Sequence, residues 1–148
     1  MSAIKETIEI DRRPEDVFSY VTDPSHLPEW QENAVAAEPA ESTPPAVGST
    51  FRVTRRIGGR EIAMTTEVDE MDPPRSWTLR GVDGPVRGMV HGTVEPLGEG
   101  DRSRVTISVD FEGHGIGKLL VPLVARPQVR RELPRNEQHL KGVLERSG

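Results

Sequence analysis

The sequence contains no cysteine. This absence excludes disulfide bonds, thiolate metal ligands, a cysteine nucleophile and thiol redox chemistry. Aromatic residues are scarce, with two Trp, three Phe and one Tyr in 148 residues, so an aromatic residue at an inward position marks a place where packing or a ligand matters. No stretch reaches the roughly 18 consecutive apolar residues of a membrane-spanning helix, and no secretory signal opens the chain. We therefore expect a cytosolic protein without a membrane anchor.

Positive charge is also in deficit. The formal net charge is −5 at pH 7, whereas a general nucleic-acid binder needs a basic surface to displace counterions from phosphates. Nucleic acid is therefore not an expected partner. Hydrophobic residues make up 34% of the chain and charged residues 29%, which is lean for a globular protein but unlike a disordered chain. We expect one domain, residues 1–148, around one core.

The hydrophobic pattern predicts an α+β fold. Alternation of apolar and polar residues predicts a first strand from Ala3 to Ile10, and two short helices follow it, from about Pro14 to Val21 and from Ser25 to Trp30. Gly58-Gly59 supplies the two-residue turn of a clear hairpin. Further alternating stretches predict the other antiparallel strands, at about residues 35–38, 51–57, 62–68, 77–79, 86–94 and 105–111.

The C-terminal segment has the apolar spacing of an amphipathic helix, but it contains Pro122, Pro127 and Pro134. An interior proline removes a backbone hydrogen bond and costs about 3 kcal/mol or kinks the helix. We therefore expect a kinked or segmented helix whose best-formed part runs from about Val129 or later to Arg146. Three glycines before it predict a flexible entry: Gly113, Gly115 and Gly117.

Three local stretches resemble one known family. They are Arg13 to Pro24 with Leu27 to Trp30 after it, Glu67 to Arg75 with its double proline, and Glu95 to Asp101 before Arg104 to Thr106. In these stretches and in the order of its elements, the chain resembles the Bet v 1-like and START-like (SRPBCC) superfamily, in particular its bacterial polyketide cyclase/dehydrase-type members. The resemblance implies a helix-grip fold, in which a curved antiparallel sheet of six to seven strands wraps around a long C-terminal helix. It also implies a deep apolar cavity, used in different members for lipids, polyketides, quinones or plant hormones.

The resemblance and the strand phases together predict a ligand cavity between the concave face of the sheet and the C-terminal helix. Alternation shows burial and not empty space, so a filled core is the alternative at each position. Gly88 and Gly92 favour a cavity, since bulky residues there would fill it. The predicted lining residues are Trp30, Phe51, Val53, Arg55, Met64, Thr66, Trp77, Leu79, Val90, Val94, Ile107, Val109, Phe111, Leu119, Leu123 and Leu133.

Arg55 is the predicted polar anchor of this cavity. A buried arginine needs a partner, for which Glu70, Glu6 or an anionic group of the ligand is available; the alternative is an arginine near a strand end that reaches water. Trp30 is predicted either to gate the cavity mouth or to pack the second short helix. Tyr20 carries a phenol that could donate to a substrate carbonyl, although its helix phase favours the surface.

The sequence shows neither a catalytic constellation nor a metal site. It contains no GxSxG turn, HExxH helix or phosphate loop, and its four histidines have no paired spacing, so we expect no metal and no cofactor. Asp110 and Glu112 lie in the outward phase of the last strand. A basic run is predicted to form a solvated helix face, with an acidic partner or an anionic membrane surface as the alternative: Arg126, Arg130, Arg131 and Arg135.

The leading functional prediction is reversible binding of a small apolar molecule that is lipid-like, polyketide-like or aromatic, oriented by one or two polar groups. One alternative is a cyclase or dehydrase in which Arg55 or Tyr20 polarises a carbonyl. The other is a protein-interaction or co-chaperone-like module with a filled interior. The sequence is compatible with either a monomer or a homodimer.

Overall fold

A computed structural model describes residues 3–39 and 44–146. The sequence also predicts a loop marked by Pro39, Pro44, Pro45 and Gly48, and residues 40–43 of this loop lie outside the described range. Within the described residues, seven strands form one antiparallel sheet: β1 (Ile4–Ile10), β2 (Ala34–Ala37), β3 (Thr50–Ile57), β4 (Arg60–Asp72), β5 (Ser76–Gly81), β6 (Val86–Leu97) and β7 (Arg102–Gly113). The strand order is β1-β7-β6-β5-β4-β3-β2, so every neighbouring pair except β1 and β7 is consecutive in the sequence.

Helices cover the inner face of this sheet. Two short helices, α1 (Pro14–Val21) and α2 (Leu27–Trp30), connect β1 to β2 through a 3₁₀ turn at Pro24–His26. After β7, α3 (Gly117–Leu120), a π-helical turn (Val121–Ala125) and α4 (Arg126–Arg146) form one continuous helical segment, here called the C-terminal helix. Its buried leucines join the inward side chains of the sheet in one core, which confirms the helix-grip fold. In the described part of the chain, no helix has the length and apolarity needed to cross a membrane.

The prolines segment the C-terminal helix, but its regular part begins at Arg126 and not near Val129. In the π-helical turn, the Arg126 N–H donates to the carbonyl of Val121, five residues earlier. The next residue, Pro127, has no N–H and its ring would clash with the carbonyl four residues before it in a regular helix. One wider turn accommodates that proline without ending the helix.

Trp77 is buried in the core. Its ring meets the Phe18 ring of α1 edge-to-face, with 6.0 Å between centroids. It also fills the space over Gly92, its partner on β6, so that a Cβ at position 92 would collide with the indole. The missing side chain at Gly92 therefore makes room for Trp77, and the prediction that this glycine contributes to a cavity is wrong.

The predicted flexible entry to the C-terminal helix is also wrong at two of its three glycines. A Cβ on Gly117 would collide with the backbone of Pro85, and a Cβ on Gly113 would collide with the backbone of Gly117. The His114 N–H donates to the Pro85 carbonyl at 2.9 Å. These contacts fasten the start of the helix to the β5–β6 loop, because the backbones approach more closely than any side chain would allow.

This close approach predicts opposite effects for the same substitution at two helical glycines. Gly117→Ala should destabilise the protein by about 1–3 kcal/mol, because the new methyl group must displace backbone atoms. Gly142→Ala is the matched control: its Cβ meets only Nη1 of Arg146 at 3.6 Å, so the better helix propensity of alanine should stabilise by about 0.5–1 kcal/mol. Urea denaturation of the two variants measures both effects, and equal stabilities would contradict the packing at Pro85.

Candidate functional site

Rows of inward side chains across β5, β6 and β7 form the floor of a cavity. The strand register places Leu79 beside Val90 and Val90 beside Val109. In the next row, Gly88 pairs with Phe111, and the site of a Cβ on Gly81 lies 3.1 Å from the Gly88 nitrogen. Because neither glycine has a side chain, this row leaves the space next to Phe111 unfilled. The prediction that Gly88 contributes to a cavity agrees with this geometry.

The cavity has a volume of about 130 Å³ and is partly enclosed. Side chains from α2, β3, β4 and the C-terminal helix complete its wall. The structure places these predicted residues on that wall: Trp30, Phe51, Arg55, Met64, Thr66, Trp77, Leu79, Val90, Ile107, Val109, Phe111 and Leu133.

Four predicted lining residues lie elsewhere. Val53 and Val94 are buried in the packed core and not on the cavity wall, since strand alternation identifies the inward face but not the place on it where space remains. Leu119 and Leu123 are 63% and 72% exposed. The helix presents Val121 and Ala125 to the interior instead, because the irregular turn around the prolines changes which residues face inward.

Arg55 is the ionisable side chain on the wall among the described residues. Its Nη1 donates to Oε1 of Gln31 and to Oδ1 of Asn33, both at 2.7 Å. Burial lowers the pKa of Arg55 to about 10, and the negative charge of Glu132 opposes this effect. The guanidinium therefore remains charged at neutral pH while it is held by two neutral amides.

Neither of the two carboxylates predicted as partners of Arg55 pairs with it. Glu70 is exposed on the outer side of β4, and the charge of Glu6 acts on Glu137 of α4. The carboxylate near Arg55 belongs to Glu132 of α4. Glu132 is far from β3 in the sequence, so no local pattern predicts this contact. Only the packing of α4 across the sheet places it there.

Polar side chains surround Arg55 at the end of the cavity where β2, β3 and α4 meet. Glu132 accepts hydrogen bonds from Nδ2 of Asn33 at 2.9 Å and from Nε2 of Gln128 at 3.3 Å. Asn136 accepts one from the Glu32 N–H at 3.0 Å. We call the wall residues of this group the polar cluster: Gln31, Asn33, Arg55, Gln128 and Asn136.

Apart from Arg55, sequence reasoning missed the polar cluster. One signal was available for Asn136, which follows Leu133 by three residues and precedes Leu140 by four, so that it shares their buried helix face. Gln31 and Asn33 lie between α2 and β2, in a connection with no periodicity. Their inward direction is therefore visible only in the folded protein.

Trp30 packs α2 and also lines the cavity. It is 3% exposed, and its indole Nε1 is buried without a hydrogen-bond partner among the described residues. Tyr20, in contrast, is not on the wall: its hydroxyl donates to Oε1 of Glu29 at 2.6 Å, and its ring stacks on His26. Burial and the neighbouring Glu29 raise the pKa of Tyr20. The prediction that the Tyr20 hydroxyl polarises a bound carbonyl is therefore wrong, because this hydroxyl does not face the cavity.

The predicted solvated face of the C-terminal helix is correct only in part. Arg130 and Arg131 are exposed, and Arg135 pairs with Glu32 at 3.0 Å on the surface. The Arg126 side chain is 5% exposed and pairs with Asp110 at 3.0 Å. Asp110 is thus not simply a solvent-facing residue, because the helix brings a cation to it.

Among the described residues, no group of His, Asp and Glu has the arrangement of a metal site.

The sequence matches, over residues 1–145, the family described as polyketide cyclase/dehydrase and lipid transport. The chain belongs to this family. Among curated proteins, none matches the chain.

Several solved structures share the fold of this chain. An aromatase/cyclase from Streptomyces sp. R1128 superposes with a TM-score of 0.78 at 15% identity, covering 97% of this chain and 93% of that one. A protein from Thermus thermophilus gives 0.78 at 16% identity and 99% coverage of both chains. A START superfamily protein from Mycobacterium smegmatis gives 0.68 at 18% identity, covering 98% and 95%. At these identities the similarity shows the fold alone.

This member of the polyketide cyclase/dehydrase and lipid transport family also buries a carboxyl group in α4. Glu137 follows the polar-cluster residue Asn136 in α4, is 2% exposed, and its Oε2 has no hydrogen-bond partner among the described residues. Burial, with a smaller contribution from the charge of Glu6, raises the pKa of Glu137 to about 8. Glu137 is therefore largely protonated in the folded protein at neutral pH.

The raised pKa of Glu137 predicts that stability falls as the pH rises. Below pH 4.5 the carboxyl is protonated in both states, whereas between 4.5 and about 8 it ionises only in the unfolded chain, which favours unfolding. Glu137→Gln removes this titration, so the pH dependence of the unfolding free energy should flatten across that window. Urea denaturation from pH 5 to pH 8 measures it, with the exposed Glu99→Gln as control. If Glu137→Gln and the wild-type protein lose stability in parallel, Glu137 is ionised in the folded state.

Proposed function

We propose that the protein binds one small, mostly apolar molecule that carries a hydrogen-bond acceptor at one end. The observation that supports this is the cavity beside the glycine row of β5 and β6, which is apolar toward β7 and polar toward β2. Burial of apolar ligand surface provides the affinity, and the polar cluster orients the acceptor. A filled interior, as an interaction module would have, does not fit this cavity.

The volume limits the size of the ligand. Cavities for drug-sized ligands measure about 300–1,000 Å³, and a dry engineered cavity of about 150 Å³ holds benzene. The cavity here, at about 130 Å³, therefore suits a single ring or a short chain. A multi-ring polyketide would require flexible wall residues such as Met64 to move.

Two donor groups define the expected acceptor. Both hydrogen bonds of Arg55 to described residues come from Nη1, so Nε and Nη2 remain for a ligand. The buried Nε1 of Trp30 lacks a partner, and a buried donor without a partner costs about 1–3 kcal/mol. A ligand carbonyl or carboxylate beside Arg55 would accept from its unpaired guanidinium nitrogens, and a movement of the indole would let the same acceptor reach Nε1 of Trp30.

The family includes polyketide cyclases and dehydrases as well as lipid carriers by its description, and the cavity bears on which role fits. A buried guanidinium can polarise a carbonyl. A cyclisation or dehydration also needs a base to remove a proton, yet the described wall holds no Asp, Glu, His, Lys or Tyr beside Arg55. Binding without chemistry is therefore the function that this wall favours over a cyclase.

A larger side chain in the cavity should weaken ligand binding. Val90→Phe places a ring in the free space next to Val109, and we expect the affinity for acetophenone to fall at least about tenfold, while the melting temperature is retained or raised because a void is filled. Val35→Phe on the exposed side of β2 is the matched control. Isothermal titration calorimetry measures both. Equal affinities of the two variants would place the binding site elsewhere.

Removing the indole donor should affect only ligands that have an acceptor. Trp30→Phe keeps an aromatic ring but loses Nε1, so acetophenone should bind about 2–10-fold more weakly, as expected for one neutral hydrogen bond. Ethylbenzene, which has nearly the same shape and no carbonyl, should bind Trp30→Phe as it binds the wild-type protein. A parallel loss for both compounds would mean that Trp30 contributes by packing alone.

Native mass spectrometry of the protein purified from its own host would identify the natural ligand.

A further inference from the structure

The start of the C-terminal helix carries an exposed apolar patch that the proposed ligand cavity does not use. Ile116, Leu119 and Leu123 are 66%, 63% and 72% exposed. Leu119 follows Ile116 by three residues and Leu123 follows Leu119 by four, and all three are directed to solvent around the start of the helical segment. Scattered single apolar residues are ordinary on protein surfaces, whereas a contiguous group marks an interaction site. We call these three residues the apolar patch.

Positive charge surrounds the apolar patch. Residues 114–131 contain one Lys, three Arg and no Asp or Glu, in a chain whose net charge is −5. Arg126 is buried in its pair with Asp110, but Lys118, Arg130 and Arg131 are exposed. None of these three forms an ion pair with a described residue. Their charges are therefore available to a partner of opposite sign.

The β3–β4 hairpin adds a further cation to this surface. Gly58 at its tip donates from its N–H to Oε1 of Gln128 at 3.1 Å, and the Cβ site of Gly58 lies 3.0 Å from Cγ1 of Val124. Arg60 follows two residues later and is exposed. The carboxylate of Glu61 in the same hairpin is paired with Arg56 at 3.0 Å, so it does not cancel the charge of Arg60.

We propose that the apolar patch docks the protein reversibly on an anionic lipid surface. An apolar strip flanked by exposed lysine and arginine is the arrangement that inserts at the boundary between headgroups and acyl chains. Each cation near an anionic membrane surface strengthens binding by about fivefold. A second copy of the chain is a poorer occupant, because a twofold interface would place the patch against itself and oppose Lys118, Arg130 and Arg131 with their own copies.

Docking in this orientation would bring the cavity to the membrane. The inner side of the same helical segment supplies Ala125 to the cavity wall, and α4 supplies Gln128 and Val129 directly after it. The docking itself does not depend on a bound ligand. Val90→Phe, which blocks the proposed ligand site, should therefore still bind vesicles, so the docking proposal and the ligand proposal can fail separately.

Vesicle flotation tests this proposal. The wild-type protein should float with vesicles of phosphatidylcholine mixed with phosphatidylglycerol, and this binding should weaken at high salt and on vesicles of phosphatidylcholine alone. Leu119→Ser with Leu123→Ser should reduce binding at least about tenfold. The matched control is Val47→Ser with Met89→Ser, which changes two other exposed apolar residues and should leave binding unchanged. Circular dichroism melting confirms that both double variants are folded, as their exposed positions predict.

A second pair of variants separates the charges from the apolar contact. Arg130→Gln with Arg131→Gln should weaken binding to the anionic vesicles and reduce its salt dependence, whereas Arg13→Gln with Arg75→Gln, at exposed positions elsewhere, should do neither. Absence of flotation at low salt would overturn the proposal. So would flotation that the two serine substitutions leave unchanged. A concentration-dependent dimer that those substitutions abolish, without vesicle binding, would assign the apolar patch to a second copy of the chain.

Discussion

A seven-stranded sheet is roughly 30 Å wide, because neighbouring strands lie about 4.7–4.9 Å apart, whereas a helix with its side chains is only about 10–12 Å across. One C-terminal helix therefore cannot cover the whole inner face. The sheet curls around it, and α1 and α2 close part of the remaining side, with Phe18 of α1 against Trp77. Where neither helix nor side chain fills the space, at Gly81 and Gly88, the cavity remains. The site is thus a consequence of this mismatch in width.

The same constraint explains why the polar cluster lies at one end of the cavity. The connection from α2 to β2 passes under α4, and its backbone and side chains cannot all reach water there. Gln31 and Asn33 accept hydrogen bonds from Nη1 of Arg55, and Nδ2 of Asn33 donates in turn to Glu132 of α4. Buried polar groups are stable when they are hydrogen-bonded to one another. Trp30 Nε1 and Glu137 Oε2, which are buried without a hydrogen-bond partner among the described residues, are therefore informative exceptions.

Most of the fold could be predicted from the sequence, since its elements are encoded locally. The alternation in β3 and β4 around Gly58-Gly59 fixes that hairpin, and Pro14 fixes the start of α1. Errors arose where two distant segments meet. Gly92, which the strand phase assigns to a cavity, receives Trp77. Leu119 and Leu123, which helical spacing directs inward, are exposed because the π-helical turn at the prolines changes the direction of the residues around it. Periodicity describes one element at a time, so it does not register such contacts.

The strands, the two short helices and the inward face of each strand follow from the sequence, because they depend on spacing and residue type over a few neighbours, and the lack of cysteine excludes thiol chemistry. The tertiary structure decided which inward residues border empty space and which are packed. It also decided that Glu132 and not Glu70 or Glu6 acts on Arg55, that Arg126 is buried against Asp110, and that the apolar patch faces outward. These outcomes depend on distances between segments far apart in the chain, which only the path of the helix across the curved sheet sets.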